Sequence, residues 1–204
     1  ENLRQTLGLD QPVHVQYLKW LREVLNGNFG VSISTSLPVL DLIIPRFINT
    51  VILAVPSLLL ALLIGFFVGI FAAAKPFSVF DRLGMSCTLI LGSTPPFWFG
   101  LILVLFFSLN LRLFPATGMV SMRGDGGFID ILHHLVLPTI ATAVAPAAII
   151  TRMVRTSMLE ILSQEYIKVA RAKGFSQRVI LWKHALRNAI PPISTITGLQ
   201  LGYL

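Results

Sequence analysis

The sequence predicts an all-α, polytopic bundle of transmembrane helices. Three observations carry that expectation: long uncharged runs, positive charge confined to one side of them, and a patterned basic segment before the last run. Apolar residues make up 54% of the chain and charged residues only 12%, far from an average soluble domain. Phe47 to Ala74 holds no Asp, Glu, Lys or Arg in 28 residues, Leu83 to Leu111 none in 29, and Ile131 to Thr151 none in 21. A helix crossing the hydrocarbon core needs about 20 mainly apolar residues at about 1.5 Å each. The competing reading, a soluble helical core, would have to hide all three runs in 204 residues.

The expected spans are 48–74, 88–110 and 135–151, with a fourth starting at 190 and still apolar at 204. Together they make residues 1–204 one membrane domain. Residues 1–46 are polar, with neither a signal peptide nor a spanning segment. That start, and the abrupt finish inside an apolar run, are what a piece of a longer chain would show. The lone Cys87 excludes an internal disulfide framework and a CxxC site.

Charge orients the spans. Loop 75–87 carries Lys75, Asp81 and Arg82, net +1, and loop 152–188 carries eight cations against Glu160 and Glu165, net +6. Segments 1–47 and 111–134, on the opposite side, each balance to zero. Positively charged loops stay cytoplasmic, so residues 1–47 are expected outside and loop 152–188 inside. Topology alone accounts for the whole excess, and no nucleic-acid partner is expected.

The external segment reads as one amphipathic helix. Asp10 is the expected N-cap, with Pro12 early in the first turn. Val13, Tyr17, Trp20, Leu21 and Val24 recur at helical spacing, and Asn26-Gly27-Asn28 stops the helix. Tyr and Trp on that face suit a membrane interface, and packing against a neighbouring chain fits equally well.

Within the spans, Pro56, Pro138, Pro146, Gly65 and Gly69 read as kinks and close helix packing. The segment from Gly92 to Trp98 stands apart. Two hydroxyls and two consecutive prolines leave backbone carbonyls without helical donors. Such backbone is found at membrane depth where it lines a cavity or meets protein. Ser93, Thr94, Pro95, Pro96 and Trp98 are therefore candidates to line a path.

Loop 152–188 carries the most pattern. Met158, Leu162, Tyr166 and Val169 form an apolar stripe on one helix with a basic opposite side. Gly174 supplies a left-handed cap and Ser176 opens a second helix presenting Val179, Trp182 and Leu186. Ala170 and Ala172 are small enough for close approach. Pro191 and Pro192 mark where the loop ends and the next span starts. A DNA-binding helix-turn-helix needs a third helix, for which a 37-residue loop tethered at both ends has no room. A merely solvated loop would not need the apolar positions. Docking to a soluble cytoplasmic protein explains both stripe and turn.

Glu-Tyr-Ile-Lys-Val-Ala-Arg-Ala-Lys-Gly at 165–174, followed by His-Ala-Leu-Arg-Asn-Ala at 184–189, resembles the cytoplasmic loop of binding-protein-dependent ABC importer permeases. The dipeptide, oligopeptide and nickel branch is the most similar. Leu-Gly-Leu-Asp-Gln-Pro at 7–12, Gln16-Tyr17, Phe29-Gly30-Val31-Ser32, Pro38-Val39 and Pro96-Phe97-Trp98 resemble that branch too. Aligned on Gly174, the wider superfamily pattern is matched at Ala170 and Leu186. Lys168, Val169, His184 and Arg187 replace its Glu, Ala, Ile and Pro, and Glu165 lies three residues ahead of the expected Glu position.

The resemblance implies a permease subunit in a bacterial or archaeal plasma membrane, with the outermost helices of a roughly six-span relative missing here. It implies that cytoplasmic ATPases move loop 160–188 as a lever through Glu165, Tyr166, Ala170, Arg171, Ala172, Lys173, Gly174, His184, Leu186, Arg187 and Asn188. It implies further a second permease, an external solute-binding protein, and a peptide or related small solute as cargo. The chain itself has no Gly-x-x-x-x-Gly-Lys-Ser/Thr, so it is not expected to hydrolyse ATP or to carry a cofactor. His133 and His134 are adjacent and point apart on a helix, which suits an interface better than a metal site. A membrane anchor that only docks a cytosolic partner is the rival reading. A channel is a weaker one, since no span carries a charge to mark an ion path, although pores also use backbone and hydroxyls.

Overall fold

The structure, a computed structural model, describes residues 11–121 and 126–204. Apart from one isolated bridge between Val31 and Pro38, every regular element among them is helical. The chain divides into two compact units, Glu1–Val51 and Ile52–Leu204.

In the first unit, α1 is Val13–Leu25. The expected cap Asp10 lies outside the described residues. Pro12 stands just ahead of the first turn and not within it, because its ψ of 143° is extended. Its carbonyl accepts from the Val15 and Gln16 amides at 2.9 and 3.1 Å. The stop is as expected: Gly27 takes φ +83°, and the Asn28 side-chain amide donates to Glu23 at 2.8 Å. Val13, Tyr17 and Trp20 are exposed, with the Tyr17 and Trp20 rings 5.9 Å apart.

The helix α2, Val39–Ala74, starts in the first unit and ends in the second. It is followed by α3 (Val79–Gly92), α4 (Pro96–Leu103) continued by a π-helical segment Val104–Asn110, and α5 (Phe128–Leu162). Then come α6 (Glu165–Ala172), the single turn α7 (Gln177–Val179), a second π segment Ile180–Ala185, and α8 (Leu186–Tyr203).

Two of these, α2 and α5, are each long and apolar enough to cross a membrane. The expected span 88–110 is not one helix: α3 and the Pro96–Asn110 segment meet at 101°. Pro95 and Pro96 have no N–H to continue the α3 ladder, so the helix ends at Gly92 and restarts in a new direction. The expected boundary at 151 also shifts. No breaker follows Thr151, and α5 continues to Leu162. Pro191 and Pro192 do not separate loop from span either. They lie inside α8, which runs on from α7 through the wider π turn just upstream.

Packing in the second unit centres on α5. Ala61 and Ile70 of α2, Ala147, Ile150 and Val154 of α5, and Ala189 and Ile193 of α8 share one buried cluster. The α2 face is built of small residues, with Gly65 and Gly69 four apart. A Cβ on Gly65 would lie 2.5 Å from Ile150 Cγ2, and one on Gly69 2.9 Å from the Thr151 carbonyl oxygen. Helix backbones in lipid approach this closely only where side chains are absent, because packing supplies the attraction that the hydrophobic effect cannot. On the opposite side of α2, Val55, Leu59, Leu63, Phe67 and Phe71 form an exposed stripe at spacing four. Such a stripe is costly in water and costs nothing against lipid tails.

Candidate functional site

The segment after α5 folds as an elbow of two short helices. Ser163 and Gln164 interrupt the helix, and Ser163 Oγ donates to the Glu160 carbonyl at 2.7 Å. Met158 and Leu162 therefore belong to α5, with Met158 fully buried, and do not continue the stripe of α6 as the spacing had implied. Tyr166 and Val169 do remain on the surface, 43% and 53% exposed, while Ile167 and Ala170 face inward. The turn matches the expectation closely. Gly174 has φ +81°, the Phe175 amide donates to the Ala170 carbonyl at 3.2 Å, and the Gly174 amide donates to that of Arg171 at 2.9 Å. This pair of bonds closes α6 as a Schellman motif. Ser176 Oγ accepts from the Val179 amide at 3.4 Å, capping α7.

Side chains brace the elbow across the turn. Asn188 Nδ2 donates to Tyr166 Oη at 2.8 Å and to the His184 carbonyl at 3.1 Å. The Phe175 and His184 rings lie 5.5 Å apart. Ile180 and Ala185 are buried behind them, and Leu186 is half-buried. Outward stand Trp182, Phe175, Tyr166 and Val169 among the exposed cations Arg171, Lys173, Lys183 and Arg187. Glu165 and Lys168 pair with each other at 2.7 Å on the surface, and Ala172 is exposed and so takes no part in close helix approach. Large apolar groups interleaved with positive charge on a braced frame suit a protein surface that is apolar at its centre and acidic at its rim.

The second feature is the break between α3 and α4. The Thr94 hydroxyl donates to the Ile90 carbonyl at 2.9 Å, and the Ser93 and Thr94 amides bond Leu89 and Leu91. These bonds satisfy much of the backbone that the prolines would leave unpaired. Beyond the break, α4, α5 and the loop before α5 line a half-open cavity of about 490 Å³. Pro96, Phe97, Gly100, His134, Ala141 and Thr142 contribute to its wall. Its size falls within the range of small-molecule sites. His134 is 7% exposed, and its Nδ1 lies 2.9 Å from the Asp130 carbonyl oxygen, to which it donates. His133 points elsewhere, to the Leu113 carbonyl at 2.8 Å.

The third feature is an ion pair. Arg155 of α5 donates through Nε to Asp81 Oδ1 at 2.6 Å and through an Nη to Oδ2 at 2.7 Å. Asp81 Oδ2 also accepts from the Phe77 amide at 2.8 Å. The carboxylate is almost fully buried while the guanidinium is about one-fifth exposed. Phe77 is held at φ +63°, a left-handed conformation that costs a residue with a Cβ about 1–2 kcal/mol.

Residues 65–204, which contain all three features, match the family described as binding-protein-dependent transport system inner membrane component. The chain belongs to that family. It is 43% identical to the oligopeptide transport system permease protein AppB of Bacillus subtilis, over 98% of this chain and 64% of that protein. It is 38% identical to the dipeptide transport system permease protein DppB of Escherichia coli K12, over 97% and 65%. It is 39% identical to the glutathione transport system permease protein GsiC of Salmonella typhimurium, over 99% and 63%. The chain thus spans a little under two thirds of the length of these relatives.

In this inner membrane component, the elbow residues read from the sequence come together in space. The break residues do not. Pro96 joins the cavity wall, whereas Ser93, Thr94, Pro95 and Trp98 lie outside it. Gly100, Ala141 and Thr142 were missed because each looks like ordinary helix filling until α4 turns against α5, and His134, read from the sequence as an interface residue, also lines this cavity. Asp81 and Arg155 were missed too. They are 74 positions apart, and each counted only as a loop charge.

Proposed function

We propose that this chain is the membrane-spanning permease of an ATP-driven importer for peptides or a related small solute. The observation that carries the reading is the braced elbow, whose outward apolar and basic groups suit a cytoplasmic ATPase that closes on ATP and moves segment 160–188. The helices of the permease then rock, opening a path past residues 93–98 and the His134 cavity to each side in turn. A second permease would complete the path, and an external binding protein would deliver cargo. The names of the relatives favour a peptide-like solute. In this reading residues 1–47 are external and the elbow after α5 is cytoplasmic, in a plasma membrane, with spans at 48–74, at 88–110 bent at its prolines, within α5 (Phe128–Leu162) and at 190–204. The bond between Asp81 and Arg155 supports the charge-based placement of their loops on one side.

Two experiments test the reading. Gly174→Val in the full-length permease is expected to abolish co-purification of the ATPase, while Gly174→Asn retains it. Open space surrounds a Cβ there, so the penalty comes from φ +81° alone, which Asn tolerates and a β-branched residue does not. Normal association of the Val variant would refute the docking role. Cysteines at Ser93, Thr94 and Trp98 are expected to react with aqueous reagents, with rates that change on ATP addition. Inertness at all three positions, with the ATPase bound, would favour a non-transporting anchor.

A further inference from the structure

Asp81 and Arg155 connect two parts of the chain that the proposed transport cycle needs to move together. From Asp81, α3 leads directly into the break at Ser93–Pro95. From Arg155, α5 leads within roughly two turns to Ser163 and the elbow. The joint between them fixes direction as well as distance, since both carboxylate oxygens accept from one planar guanidinium at 2.6 and 2.7 Å. The same carboxylate holds the Phe77 amide, and with it the strained turn between α2 and α3. Stability alone does not call for such a pair: apolar residues of similar volume commonly replace a buried ion pair without loss.

Resting on the importer reading, we propose that the Asp81–Arg155 pair is a mechanical latch. It carries displacement of the elbow from α5 into the broken helix, so that the path at residues 93–98 opens in step with ATPase closure. Both are positioning residues that touch neither cargo nor nucleotide.

The test uses the full-length permease assembled with its ATPases, second permease and binding protein in proteoliposomes, reading cargo moved per ATP hydrolysed. In the double variant Asp81→Leu with Arg155→Met no charge is stranded. It is expected to assemble and hydrolyse ATP while the ratio falls about tenfold, the usual size of an inter-site coupling. Arg155→Lys keeps the charge and loses the fork, and is expected to assemble with a lower ratio as well. A wild-type ratio in the assembled double variant, or in Arg155→Lys if the double variant does not assemble, overturns the latch. Failure of both variants to assemble also overturns it, because the pair would then serve folding alone. Absence of ATP-driven uptake by the unaltered complex would instead remove the importer reading beneath it.

Discussion

Arg155→Ala is expected to be among the most damaging single substitutions in the chain. It would strand the Asp81 carboxylate, almost fully buried, with only the Phe77 amide for company. Removing one partner of a deeply buried pair typically costs roughly 3–5 kcal/mol, but Asp81 lines an open hollow beside Arg82 that water can enter, which places this case at about 1–3 kcal/mol. The thermal unfolding midpoint of the detergent-solubilised full-length permease should fall by roughly 2–4 °C for each kcal/mol lost. The double apolar variant should recover most of that midpoint, since it leaves no unpaired charge. A midpoint for Arg155→Ala equal to wild type would mean that water fully solvates Asp81 and that its burial is not maintained.

Gly69→Leu should be comparably severe for a different reason. Even its Cβ would lie 2.7 Å from the Val154 Cβ and 2.9 Å from the Thr151 carbonyl oxygen, so α2 and α5 must separate. Overpacking of this kind costs about 3 kcal/mol once the remaining side-chain atoms also need space. The gain in helix propensity over glycine, under about 1 kcal/mol, does not offset it. Gly198 of α8 is the control, because a Cβ there meets nothing within 4 Å. Gly198→Ala should leave the midpoint unchanged or raise it slightly through propensity, and a loss as large as at Gly69 would count against close packing as the cause.

Much of the candidate site was legible because its signals are local. Gly174 and Ser176 announce a turn whose bonds all close within six residues, and the structure places those bonds where expected. The stripe of α6 was half-legible. Tyr166 and Val169 are exposed, yet a helical period cannot tell that Ser163 and Gln164 detach Met158 from them. Ile167, the residue that anchors α6 inward, lies one position from Tyr166 and looked like spacing. The prolines misled in both directions. Pro95 and Pro96 break a helix completely, turning it by 101°, while Pro191 and Pro192 sit within α8. The difference lies in what surrounds each pair. A π turn upstream of α8 lets the chain absorb the missing donors, and the break at residue 93 has hydroxyl and amide groups that cap the α3 carbonyls instead.

Composition and short-range pattern were thus sufficient for the all-helical class, the uncharged lengths and the elbow's turn. Each of these depends on a residue's own chemistry or on neighbours within a few turns. Tertiary structure alone decided the 101° bend, the cavity around His134 and the bond from Arg155 to Asp81. The cavity and the ion pair arise where helices far apart in sequence pack against α5, and the bend, although the prolines impose the break, takes an angle that no local pattern encodes.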